Sequence, residues 1–338
     1  MQNNKVSTYL FYALGEILLV VIGILIALGL NSQHQNKQNE EYITTILKQI
    51  QTELEVDIID AIRIAETYFS IQQVAKKVLT NSWTVDDYVA DEDYQMLRRT
   101  YVSFTTNNSG YNQLMNNLEI MPEKFKPLVK ELNMLYIELQ DDIDGFNTKL
   151  RVDAEYESKK TLERFPQAYQ WYMDNSTGRR IEAEQFFKDP YYPNQVLNHY
   201  TNLEQLVDGA TGYRFIALSI HQKIDSMLNV TNAEVPDHLK VMGDINGELD
   251  IYLGEYKNET TSLTVSKDKE QLQMHIQFIE SGEELKAALW RHSDSRYFAN
   301  FNGTILFHSF GKKDDIPLVS LDRINFTEKP FLKVNDER

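Results

Sequence analysis

From Tyr9 to Leu30 the chain runs 22 residues with Glu16 as its only charge, and from Asn31 to Thr80 it contains neither proline nor glycine. A helix begun in the first stretch therefore has no sequence reason to stop in the second. At ~1.5 Å per residue the apolar run reaches ~33 Å, enough for a bilayer hydrocarbon core of ~30 Å. Tyr9, Phe11 and Tyr12 cluster at its leading end, where amphipathic rings favour the headgroup level. Two readings of the run compete. As a cleaved signal peptide it would use Ile17–Ala27 as its apolar region and the small residues around Ala27 as its cleavage site. As a retained anchor it uses its whole length, which the anchor reading explains better. Lys5 on the leading side sets an N-in orientation under the positive-inside rule.

Within this helix Gly23 and Ala27 form a small-xxx-small pair, with Gly15 two turns earlier on nearly the same face. Small residues let helices approach closely, and Glu16 adds a carboxylate suited to a polar contact with a neighbouring helix. Gly15, Glu16, Gly23 and Ala27 are thus the candidate helix-contact residues.

The order Tyr-Ala-x-Gly-Glu-Ile running into Ile-Gly-Ile-Leu-Ile-Ala-Leu, here Tyr12–Asn31, resembles the N-terminal hallmark of an uncharacterised family of single-pass Bacteroidota membrane proteins, a domain of unknown function. The family's usual Asn-Asn-Trp-Asn exit is replaced here by "NSQHQ". The resemblance implies an inner-membrane anchor with the body in the periplasm, and it implies no activity.

Beyond the anchor, apolar residues recur at helical spacing: Ile43, Leu47, Ile50, Leu54, Ile58, Ile62, Ala65 and Phe69. A second stripe begins at Pro122, suited to a first helical position, and runs to Leu150; a third runs from Leu197 to Met227. Tyr94, Leu97, Tyr101 and Phe104 predict a shorter helix, broken by "TTNNSG". One-sided stripes bury themselves most economically against one another, as an antiparallel bundle. The stretch from Pro166 to Pro193 reads as irregular, because "DNSTG" and "KDPYYPNQ" are turn signals. Its aromatic residues either pin that loop to the bundle or line a binding surface; Trp171, Tyr172, Phe186, Tyr191 and Tyr192 are the candidates for the latter.

After Val230 the period changes to alternation. "LDIYLGEYK", "SLTVSK", "LQMHIQFI", "ELKAALWRH", "RYFANF", "TILFHSF" and "LVSLDRINF" read as seven short strands, hence a small antiparallel barrel or sandwich. Tyr252-Leu-Gly-Glu-Tyr256, "LTVSKDKEQLQMHI" and "RYFANFNGTILFH" resemble a small lipocalin-like domain that bacteria append to other modules, β-lactamase-related hydrolases among them. That likeness implies an accessory domain. The fold class is α+β, divided as a tail 1–8, an anchor 9–30, a helical bundle 31–230, a linker 231–246 and a β domain 247–338.

Composition narrows function mainly by exclusion. A net charge of −16 argues against nucleic acid as a partner, and the absence of cysteine removes thiolate metal sites, disulfides and a cysteine nucleophile. No Gly-x-Ser-x-Gly is present, and Ser266-x-x-Lys269 and Ser309-x-x-Lys312 fall in charged hairpins of the β domain. The seven histidines lack ligand spacing, and "DDIDG" and "GDINGE" do not complete a calcium loop. No catalytic, metal-binding or cofactor-binding motif is legible. The leading expectation is a membrane-anchored scaffold or assembly subunit, whose partners are the membrane and either a second copy or another membrane protein. The rival is a sensor or carrier for an unidentified small molecule, using the bundle's cap or the β domain's interior; a tethered hydrolase comes third.

Overall fold

The computed structural model describes residues 3–99, 101–172, 175–230, 236–239, 250–268, 271–293, 295–301, 304–313, 315–321 and 330–334. Helix α1 (Asn3–Leu79) is one uninterrupted element, consistent with a span that has no proline anywhere and no glycine after Gly29. Its two halves have opposite environments. Leu14 to Leu30 are exposed throughout, whereas Ile43, Leu47, Ile50, Leu54, Ile58 and Ile64 have no exposed surface at all. The N-terminal portion is long and apolar enough to cross a membrane. The same backbone that could lie in lipid therefore becomes the central helix of the bundle.

Past α1 the chain turns at Asn81, which takes the left-handed conformation (φ 52°) that asparagine tolerates. Helix α2 (Val85–Ala90) opens with a reciprocal cap: Thr84 Oγ1 accepts from the Asp87 amide at 3.1 Å and Asp87 accepts from the Thr84 amide at 2.8 Å. Short helices α3 (Asp93–Arg99) and α4 (Ser109–Met115) follow. Helices α5 (Pro127–Asn133) and α6 (Gln140–Arg164) are joined by a π-helical turn at Met134–Leu139. After α7 (Asn175–Lys188) comes α8 (Tyr192–Leu228), which ends on Asn229 in the left-handed conformation. Tyr68 with Glu204, Asp57 with Tyr213 and Gln51 with His221 show α1 and α8 antiparallel. Lys149 with Gln205 and Asp153 with Asn198 show the same for α6 and α8.

Three expectations for this part need correction. The stripe Tyr94–Phe104 is not one helix: α3 stops at Arg99, and Phe104, fully buried, sits in chain that is neither helix nor strand. Pro122 does not open the long helix; it precedes a 3-10 turn at Glu123–Phe125, and Pro127 holds the first position instead. The span Pro166–Pro193 is largely helical, because residues Ala168–Tyr172 and α7 fold against the bundle around a shared aromatic cluster.

The C-terminal part is a closed antiparallel barrel of eight strands in sequence order: β1 (Gly254–Lys257), β2 (Thr261–Asp268), β3 (Gln271–Phe278), β4 (Glu284–Arg291), β5 (Arg296–Phe301), β6 (Thr304–Lys313), β7 (Ile316–Leu321) and β8 (Phe331–Lys333). The barrel-or-sandwich alternative thus resolves to a barrel, closed by pairing of Tyr256 and Lys257 with Lys333 and Leu332. The three-residue β8 is the strand that the sequence pattern missed. The interior is packed with the barrel's own side chains, among them Tyr256, Leu263, Met274, Tyr297, Phe310 and Phe331. Alternation lets one strand serve two cores: on β6, Leu306, His308 and Phe310 point inward, while Ile305 and Phe307 face the bundle and join its core.

Candidate functional site

The bundle and the barrel meet over a contact in which charge is enclosed by aromatic rings. Glu66 and Phe69 come from α1, one turn apart on the same face; Arg214 and Phe215 come from α8. The barrel contributes Trp290, His292, Arg296 and Phe307. His292, whose side chain is 1% exposed, bridges three elements: its Nε2 lies 2.8 Å from Glu66 Oε1 and its Nδ1 lies 3.2 Å from Arg214 Nη1. A guanidinium can only donate, so Nδ1 accepts and the proton sits on Nε2, which donates to Glu66. Phe69 packs edge-on against Phe307 (centroids 4.9 Å apart) and His292 (5.5 Å), with the Arg296 guanidinium over its ring at 3.6 Å. Phe215 meets Trp290 edge-on at 4.6 Å.

The electrostatics agree with a neutral imidazole. Burial lowers the pKa of His292; the bond to Glu66 opposes that, and Arg214 and Arg296 reinforce it. Glu66 is held below the usual carboxylate range, first by the His292 hydrogen bond. Burial brings Arg214 down to about 10, still well above neutral pH. Both nitrogens of His292 are engaged, so it serves as a strut between domains and not as a free base or metal ligand.

Beside this junction a cleft of about 580 Å³ opens between the bundle and the barrel. Phe146, Phe215, Ile216 and Ile305 supply apolar walls, while Asp142 and Asp208 bring carboxylates. Two α8 glycines line it for different reasons. A Cβ on Gly209 would lie 3.2 Å from both Ile143 and Phe146, so it would press on its neighbours there. A Cβ on Gly212 would meet nothing within 4 Å. A second, shallower groove of about 840 Å³ runs along α6 between Tyr101 and Leu162, with charges of both signs from Arg151, Glu155 and Lys159.

Inside the bundle, polar groups brace the irregular segment that links α3 to α4. Asp57, 1% exposed, accepts from Tyr213 Oη (2.7 Å), from the Asn107 amide (3.1 Å) and from Asn107 Nδ2 (2.8 Å). Asn147 accepts from the Phe104 amide at 3.0 Å and donates to its carbonyl at 2.6 Å. Glu53 takes the Gly110 amide at 2.9 Å. Burial raises the pKa of Asp57 despite those bonds. These groups hold backbone in place and lie away from solvent.

The helix-contact residues Gly15, Glu16, Gly23 and Ala27 all lie exposed on α1, and a Cβ on Gly15 or Gly23 would meet nothing within 4 Å. Among the described residues they are brought against no other element of this chain. The aromatic candidates separate. Trp171, Phe186 and Tyr192 are buried to within a few per cent, with Phe186 stacked on Tyr192 at 4.5 Å and against Trp171 at 5.4 Å. These three are core residues that pin α7 and the 3-10 turn to the bundle. Tyr191 is 61% exposed, with the Arg164 guanidinium 5.1 Å from its ring. The Tyr172 side chain lies outside the described residues, as do those of Tyr9, Phe11 and Tyr12.

Sequence reasoning passed over Glu66, Arg214, His292 and Gly212. Arg214 carried a signal: a permanent cation inside the apolar run Ala210, Tyr213, Ala217 has to find a partner once buried. His292, after the last residue of β4, carried none. Among the described residues no group of three or more His, Asp or Glu is arranged to hold a metal ion. Comparison of the chain with protein-family models, with curated proteins and with solved structures finds no match.

Proposed function

We propose that this chain is a membrane-anchored envelope protein that works through protein contacts, as a scaffold or assembly subunit. The observation that carries the reading is the continuity of α1 from its exposed apolar segment into the bundle core. A hinge-free helix transmits any constraint placed on the anchor directly to the body. A tether whose only task is attachment has no need of such stiffness. The exposed Gly15, Gly23 and Ala27 offer a close-packing face to a second copy or to another membrane protein, and Glu16 offers that contact a polar group. In this reading the N-terminus is cytosolic, the body periplasmic, and the likenesses to the Bacteroidota anchor family and to the lipocalin-like accessory domain reflect kinship.

Crosslinking in living cells through a photoreactive residue at position 19 or 23, followed by identification of the adduct, tests the proposal. A self-crosslink or one defined membrane partner is the expected product; lipid adducts alone would count against it. Glu16→Leu should change the partner or the oligomer while leaving insertion intact. Reporter fusions at residue 338 test the topology, and a cytosolic signal would overturn the periplasmic placement.

A second reading, ligand binding, draws on the cleft at the domain junction. The barrel interior is occupied by aromatic and aliphatic side chains.

A further inference from the structure

Gly212 lies within a 37-residue helix, α8, and a glycine inside a helix is less favourable than alanine. Packing explains Gly209, where a Cβ would press on Ile143 and Phe146, but a Cβ on Gly212 would reach nothing. What glycine preserves at 212 is the open volume of the cleft between bundle and barrel. Domain junctions are where small-molecule sites preferentially form, and about 580 Å³ falls in the range such sites occupy.

The lining specifies the occupant's chemistry. Phe146 and Phe215 present aromatic surface, Ile216 and Ile305 extend it, and Asp142 and Asp208 add two carboxylates. Lys149 approaches the site's edge, where its ammonium donates to Gln205 Oε1 at 3.1 Å. Aromatic faces beside carboxylates suit an ammonium group, and a chain of net charge −16 disfavours anions generally. We infer that this cleft binds a small organic cation with an apolar body, the body on Phe146 and Phe215 and the cationic end toward Asp142. The inference is independent of the scaffold proposal, which concerns the anchor and its contacts.

The test titrates the full chain, in nanodiscs of zwitterionic phosphatidylcholine, with benzyltrimethylammonium by calorimetry; phenylacetate is the anionic counterpart of similar size. Saturable one-site binding of the cation and none of the anion is expected. Gly212→Phe, which fills the cleft from a position with no neighbour to displace, should weaken binding by at least about tenfold. Asp142→Asn, at an exposed residue whose replacement leaves the fold intact, should weaken it several-fold and reduce its dependence on salt. Absence of saturable cation binding, equal binding of phenylacetate, or affinity unchanged in Asp142→Asn would each overturn the inference. If Gly212→Phe does not fold, the Asp142→Asn titration and the cation–anion contrast still decide it.

Discussion

The bundle and the barrel bury their interiors by different rules. The bundle encloses Asp57, Asn147, Gln195, His199 and Glu204 among its aliphatic residues, whereas among the described residues the barrel interior is apolar apart from Thr261 and His308. The contrast follows from the backbone. Each barrel strand has a neighbour on both sides, because β1 pairs with β8, so the ladders satisfy its N–H and C=O groups. Between α3 and α4 the bundle admits irregular chain that belongs to no helix and no sheet. That backbone takes its hydrogen bonds from side chains instead, Asp57 at Asn107 and Asn147 at Phe104, while Glu53 takes the Gly110 amide in the first turn of α4. A helical core that accommodates non-helical chain has to be partly polar; a closed barrel has no such requirement.

The largest expected effect separates packing from polar bracing. Phe186→Ala, which empties the centre of the aromatic cluster, should lower stability by about 4 kcal/mol in denaturant unfolding. Asp57→Ala strands the buried Tyr213 hydroxyl and the Asn107 amide, and should cost about 3 kcal/mol. Asp57→Asn, which keeps an acceptor, should recover part of that loss. If Asp57→Ala costs no more than a surface substitution, the bracing role assigned to the bundle's polar core fails.

Acid should act on the buried groups with opposite signs. Burial holds His308 at about 3, well below the ordinary histidine value of 6.5, so the folded barrel keeps it neutral where the unfolded chain would protonate it. The stability this contributes is fully present above pH 6.5 and is lost as pH falls toward 3. The slope is about 1.4 kcal/mol per pH unit, or roughly 2–3 kcal/mol between pH 6.5 and 4.5. His199, lowered to about 4 by burial, adds the same sign from within the bundle. Asp57 acts oppositely: its raised pKa means the folded state gains relative stability as pH falls through the carboxylate range. His308→Leu should therefore flatten the acid limb of a melting-temperature profile, and Asp57→Asn should steepen it.

The smallest effect compares the two cleft glycines. Gly212→Ala should stabilise by about 1 kcal/mol, as relief of helix-interior glycine predicts, and Gly209→Ala should destabilise because its Cβ presses on Ile143 and Phe146. Paired thermal melts read both, and equal signs would show that one of the two local environments is misassigned.

The architecture was legible where it depends on neighbours in sequence. An unbroken run without proline or glycine fixed α1 as a single helix, three-and-four spacing marked its buried face, and alternation marked seven of the eight strands. The misreadings share a cause. At Tyr94–Phe104 four well-spaced apolar residues look the same whether the last two belong to a helix or to irregular chain of which Phe104 alone enters the core. Around Trp171, Phe186 and Tyr192 the composition revealed an aromatic concentration but not which way the rings face, because burial depends on α7 docking to the rest of the bundle. "FLK" at β8 is too short to show a period, and it is a strand only because β1 and β7 are there to pair with it. The junction was least legible of all. Glu66, Arg214 and His292 stand far apart in the chain, and no local period relates them. The sequence by itself determined one stiff helix leaving an apolar segment, a helical body and an alternating C-terminal domain, since those follow from backbone geometry repeated over a few residues. Only the tertiary structure decided which aromatic residues are core, how the barrel closes, and that a neutral histidine and an open glycine meet at the domain boundary, because each depends on elements distant in sequence arriving at one place.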